Sequence, residues 1–123
     1  MLRQLLRFGG VGMTALVLHW CVVLLLVPFG MAPLVANVFA FLLAFQVSYF
    51  GHRILTFGAQ AIPHRQTFPR FASVAGLSFL VNESLYAILL TWTPLGYQWA
   101  LLLVLALVAA LTFVLSRYWA FAA

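Results

Sequence analysis

Acidic residues are almost absent from this chain of 123 residues: it has no aspartate and a single glutamate, Glu83. Lysine is missing too, so all six basic residues are arginines. Catalysis by paired carboxylates is thereby excluded within one chain. One cysteine, Cys21, permits no intramolecular disulfide. The three histidines, His19, His52 and His64, are too far apart to give a metal-ligand spacing, and no metal, cofactor or enzymatic activity is expected. Charged residues make up only 6% of the sequence, against 67% hydrophobic residues and a mean hydropathy of +1.16. So little polar surface cannot coat a soluble globule, and the composition describes an integral membrane protein.

What the chain does have is four apolar stretches near or above the roughly 20 residues that span hydrocarbon, at about 8–28, 33–57, 71–92 and 96–121. Runs such as Ala100 to Val114 are apolar on every face, which suits helices and not the alternating strands of a barrel. The first stretch lacks a small-x-small cleavage site and reads as an uncleaved helix. Arginine lies before the first stretch, around 53–70 and at the end of the fourth, while the connections 28–33 and 93–96 carry none. Positive charge is retained in the cytoplasm, so both termini and the middle loop are expected inside. Trp92, Tyr97 and Trp99 then fit an outer aromatic belt, and Tyr118 and Trp119 an inner one. The net charge of +5 is assigned to anionic lipid at the inner leaflet, not to nucleic acid.

The two halves resemble each other. Arg7-Phe8-Gly9-Gly10-Val11-Gly12 is echoed by Arg70-Phe71-Ala72-Ser73-Val74-Ala75 at an offset of 63, and the turns repeat Pro-x-Gly at Pro28 and Pro94. The segment Ser48 to Phe57 is echoed by Thr112 to Phe121 at an offset of 64. The expected architecture is an all-α membrane protein, one domain over 1–123 built as two parallel helical-hairpin repeats, about 7–57 and 70–121, joined by a cytoplasmic loop 58–69. The small residues opening each repeat are expected to let helices approach closely.

The Arg-Phe-x-x-Val-Gly opening, the ending in which a hydroxyl precedes an aromatic, an arginine and a second aromatic, and the polar loop between halves together resemble the GtrA-like family over essentially the whole chain. Ser48 and Thr112 depart from it, standing where the family usually has asparagine. The resemblance implies a small bacterial inner-membrane protein that works beside a membrane-associated glycosyltransferase and translocates a polyprenyl-phosphate-linked sugar, for cell-surface polysaccharide modification or synthesis. A noncatalytic subunit that anchors or stabilises that transferase is the alternative, and a proton-coupled small-molecule exporter a more distant one. Four helices have little room to enclose a sugar, so a lateral groove or a homo-oligomer is expected.

Two sets of residues are candidates for the work. Glu83, Asn82, His19 and Gln46 fall at one expected depth in the hydrocarbon, where a charge facing lipid costs about 2.5–3.5 kcal/mol, and they are assigned to a polar, sugar-binding cleft. Near the inner surface, Tyr49, Arg53 and Phe57 are spaced by four, as are Phe113, Arg117 and Phe121. Each arginine, flanked by aromatics, is assigned to the carrier phosphate, with Arg7 and Arg70 in support.

Overall fold

The computed structural model describes residues 2–122. It contains four long helices, α1 (Leu2–Leu26), α2 (Pro33–Gly51), α3 (His64–Trp92) and α4 (Tyr97–Leu115), and no strand among the described residues. A short 3₁₀ turn, Val27–Phe29, follows α1, and π-helical turns His52–Thr56 and Ser116–Ala120 continue α2 and α4. All four helical segments are long and apolar enough to cross a membrane, so the chain is a multi-pass membrane protein. Successive helices pack on one another, and α1 packs on α4, which closes a four-helix ring.

Proline and glycine set the helix ends. Gly30 adopts φ +104° and reverses the chain after α1, while Pro33 and Pro63 lie at the starts of α2 and α3. The connection between the halves is short, because α3 begins at His64 and carries Pro69 inside its second turn. The loop expected over 58–69 is therefore helical in its second part. Pro69 lies close enough to the helix start to cost only the backbone bond to Arg65, and its own carbonyl accepts from Ser73 Oγ at 2.8 Å.

Outward-facing Leu25, Leu80 and Leu107 stay exposed, as lipid contact requires. Cys21 is exposed as well. The buried residues form two clusters. One lies at the end of the hairpin turns, with Val23, Ala36, Tyr86, Leu101 and Val104. At the opposite end, which holds the loop and both termini, Phe45, Tyr49, Phe71, Val74 and Phe121 form the other.

Candidate functional site

Asn37, fully buried on α2, is the centre of the polar group in the apolar bundle. Its Nδ2 donates to Asn82 Oδ1 at 2.8 Å and to Glu83 Oε1 at 3.1 Å, and its Oδ1 lies 2.6 Å from His19 Nε2. His19, Asn82 and Glu83 are thus brought together as expected, through a residue that the sequence pattern did not single out. Gln46 is not with them. It is nine residues from Asn37, about half a turn out of phase and ~14 Å further along the helix, and it lies on an exposed face of α2.

Between the two clusters of buried residues lies a cavity of about 370 Å³, walled by all four helices. Its polar groups are His19 and Asn82 toward the turn end, Ser48, Ser78 and Thr112 along the wall, and His52 toward the loop end. Thr112 Oγ1 is 3.0 Å from Ser78 Oγ, and the His52 ring stacks on Phe8 at 4.4 Å with its Nδ1 on Thr56 Oγ1 at 2.9 Å. Glu83 does not line the cavity; it stands behind Asn37. The walls are paired by the repeat, as Phe8 with Phe71, Gly12 with Ala75, His19 with Asn82 and Ser48 with Thr112.

The opening of this cavity is lopsided. Its three exposed lining residues are Gly9 and Met13 of α1 and Ala106 of α4, so it reaches the bundle surface at the α1–α4 seam. Across the α2–α3 seam, the rings of Phe41 and Phe79 meet at 4.5 Å, and no lining residue of α2 or α3 is exposed. The glycines opening α1 make room here and do not bring helices together. A Cβ added at Gly9 would meet nothing within 4 Å, and one at Gly12 only the Phe8 ring at 3.9 Å. Close helix approach occurs instead at Gly51, where an added Cβ would come within 2.5 Å of Val11 Cγ1.

At the loop end the expected stripes are rearranged by the π turns. Phe57 N–H donates to the His52 carbonyl at 2.9 Å and Phe121 N–H to the Ser116 carbonyl at 3.0 Å, the same five-residue step at equivalent positions. The wider turn shifts the phase of the side chains beyond it. Tyr49 and Phe121 are buried and Phe57 and Phe113 half-buried, and Phe57 stacks on its counterpart Phe121 at 5.3 Å. These aromatics pack the bundle interior and do not form a face toward lipid.

Arg53 is buried among them, and its Nη2 donates to the carbonyls of Gln60 (3.1 Å) and Ile62 (2.7 Å), which ties down the loop. Arg117 places its guanidinium carbon 5.3 Å from the centre of the Tyr118 ring, a cation–π contact with its own neighbour in the sequence. Arg7 Nη1 donates to the Leu55 carbonyl and Arg70 Nη1 to the Trp119 carbonyl, both at 3.4 Å. Leu55 and Trp119 are themselves equivalent positions in the repeat. Each opening arginine therefore caps the carbonyl end of the next helix, where cations are favoured.

The family model for the GtrA/DPMS transmembrane domain matches residues 7–121, from the first of these capping arginines to the buried Phe121. The chain belongs to the GtrA/DPMS family. Membership ties it to the handling of polyprenyl-phosphate-linked sugars, in a family of generally noncatalytic membrane proteins. Comparisons with curated proteins and with solved structures gave no match. Ser48 and Thr112 both lie on the cavity wall, so their hydroxyls contribute to its polarity.

Proposed function

We propose that this GtrA/DPMS protein moves a polyprenyl-phosphate-linked monosaccharide across a bacterial inner membrane, with both termini and the 57–63 connection in the cytoplasm. The observation that carries the reading is the cavity: about 370 Å³, walled by all four helices, with polar groups along it and an opening to lipid at one seam. Its volume lies within the roughly 300–1,000 Å³ typical of small-molecule sites. A sugar enters the cavity while the isoprenoid leaves through the gap beside Gly9, Met13 and Ala106 and stays in the bilayer.

The carrier phosphate is assigned first to Arg7. Its side chain is exposed and its bond to Leu55 is long, so the guanidinium is available at the charged end of the bundle. Arg70 and Arg117 belong to the same charged end and support retention of the phosphate there. Arg53, committed to loop carbonyls, has a structural part. A membrane glycosyltransferase on the cytoplasmic side supplies the charged carrier, and anionic lipid surrounds the arginine-rich end.

The test is transfer of an enzymatically trappable polyprenyl-phosphate hexose across liposomes that hold the purified protein. Met13→Trp, which fills the opening, is expected to cut transfer at least tenfold, and Arg7→Ala severalfold. Leu107→Trp, on an exposed face of α4, serves as the control and is expected to transfer like the native chain. Transfer no faster than in protein-free liposomes would remove the reading in favour of a transferase-anchoring subunit.

A further inference from the structure

The Asn37 contacts determine more than the position of the polar group. Asn37 Nδ2 lies 3.1 Å from Glu83 Oε1 and donates to it, so the NH₂ of the Asn37 amide is the part that faces Glu83. That same NH₂ donates to Asn82 Oδ1, which leaves the Asn37 oxygen turned toward His19. His19 Nε2 must then carry the proton and donate, and in a neutral imidazole Nδ1 is a bare acceptor. Asn82, whose oxygen is engaged, has its NH₂ left as a donor. Among the described residues nothing bonds to His19 Nδ1 or to Asn82 Nδ2. Both residues are more than nine-tenths buried, and both line the cavity.

From this geometry we infer that His19 and Asn82 form a hydroxyl-reading pair at the turn end of the cavity, its polarity set by Glu83 acting through Asn37. A sugar hydroxyl satisfies both groups, donating to His19 Nδ1 and accepting from Asn82 Nδ2. A phosphate oxygen has no proton for the histidine, so the same pair disfavours an anion, and the carrier phosphate belongs at the arginine end. The two reading groups occupy equivalent positions of the repeat, whereas Asn37 does not: its counterpart is the buried Leu101. One amide present in only one hairpin thus turns two equivalent positions into an acceptor and a donor. Asn37 and Glu83 are positioning residues here, and His19 and Asn82 are the ones that touch the sugar.

The hydroxyl pair rests on the sugar-carrier reading and is tested by binding, separately from transfer. The chain in nanodiscs is titrated with a short-chain polyprenyl phosphate, bare or bearing glucose, galactose, mannose or arabinose. At least one glycosylated form is expected to bind ten- to a hundredfold more tightly than the bare carrier. His19→Phe and Asn82→Leu should each reduce that preference to within about threefold. Nitrogen-15 spectra of the imidazole are expected to show a single Nε2-protonated tautomer, with Nδ1 shifting on addition of the preferred sugar. In Glu83→Gln, whose amide can present either polarity to Asn37, a mixture of tautomers should replace it. Equal binding of bare and glycosylated carriers, or an Nδ1-protonated ring, overturns the inference. Sugar-dependent binding without transfer in liposomes keeps the hydroxyl pair and removes the translocase, whereas transfer indifferent to the sugar does the reverse.

Discussion

At the scale of single residues, two pairs of substitutions separate what is packed from what merely faces open space. Asn37→Leu leaves the His19 N–H, the Asn82 carbonyl and the Glu83 carboxylate without their common partner. Loss of about 1–3 kcal/mol is expected in equilibrium unfolding from mixed micelles, given the modest worth of buried hydrogen bonds in membrane bundles. Gln46→Leu, on the exposed face, should stay within about 0.5 kcal/mol of the native chain. Gly51→Ala drives a methyl group into Val11 and should cost about 1–3 kcal/mol, most of it recovered when Val11→Ala is added. Gly9→Ala, with open space at its Cβ, should instead stabilise by about 0.5–1 kcal/mol through helix propensity. A result in which Gly9 and Gly51 respond alike would contradict the packing described for α1.

Asn37 was readable in principle. Folding the first hairpin about Pro28 sets residue 37 opposite residue 19, whereas Gln46 comes opposite residue 10. Depth counted from the helix ends hid this, because α1 starts six residues earlier than its apolar run and the end of α2 is a π turn. The amide also lies only four residues after Pro33, near a helix start, where it resembles a terminal polar residue. His19, Asn82 and Glu83 stood out because each lies well inside its helix and not near a start, the costlier place for a polar group.

At the scale of elements, the spans and their order were legible because hydropathy in a membrane needs little else. The start of α3 was not, since Pro69 reads as a breaker until its place in the second turn is seen. Nor were the π turns, because four-residue spacing is equally compatible with a regular helix. Their consequence falls on the connection at 57–63. Arg53 holds it through two carbonyls, and the Ala59 N–H returns to the Arg53 carbonyl at 2.7 Å. Replacing the guanidinium in Arg53→Met should speed amide hydrogen exchange at Ala59 and Ile62 by at least about tenfold, the equivalent of ~1.4 kcal/mol, in line with a charged hydrogen bond. Arg3→Met, at the exposed start of α1, should leave those amides unchanged.

At the scale of the whole molecule, the prediction concerns orientation. On a Cys21→Ser background, cysteines placed at Arg3 and Ala61 should react with a membrane-impermeant maleimide only from the cytoplasmic side. Those at Ala32 and Pro94, in the two hairpin turns, should react only from the other side. Labelling of any one site from both faces would mean dual insertion, which the one-sided arginines argue against.

The two seams of the bundle occupy corresponding places in the repeat but carry different side chains. Had a single hairpin been encoded once and assembled in pairs, any residue closing one gap would have closed the other too, and any residue opening one would have opened both. With both hairpins in one chain that identity does not hold, so Phe41 and Phe79 shutter one flank while Gly9 and Ala106 keep the opposite flank ajar. The bundle is thereby a vessel with one door.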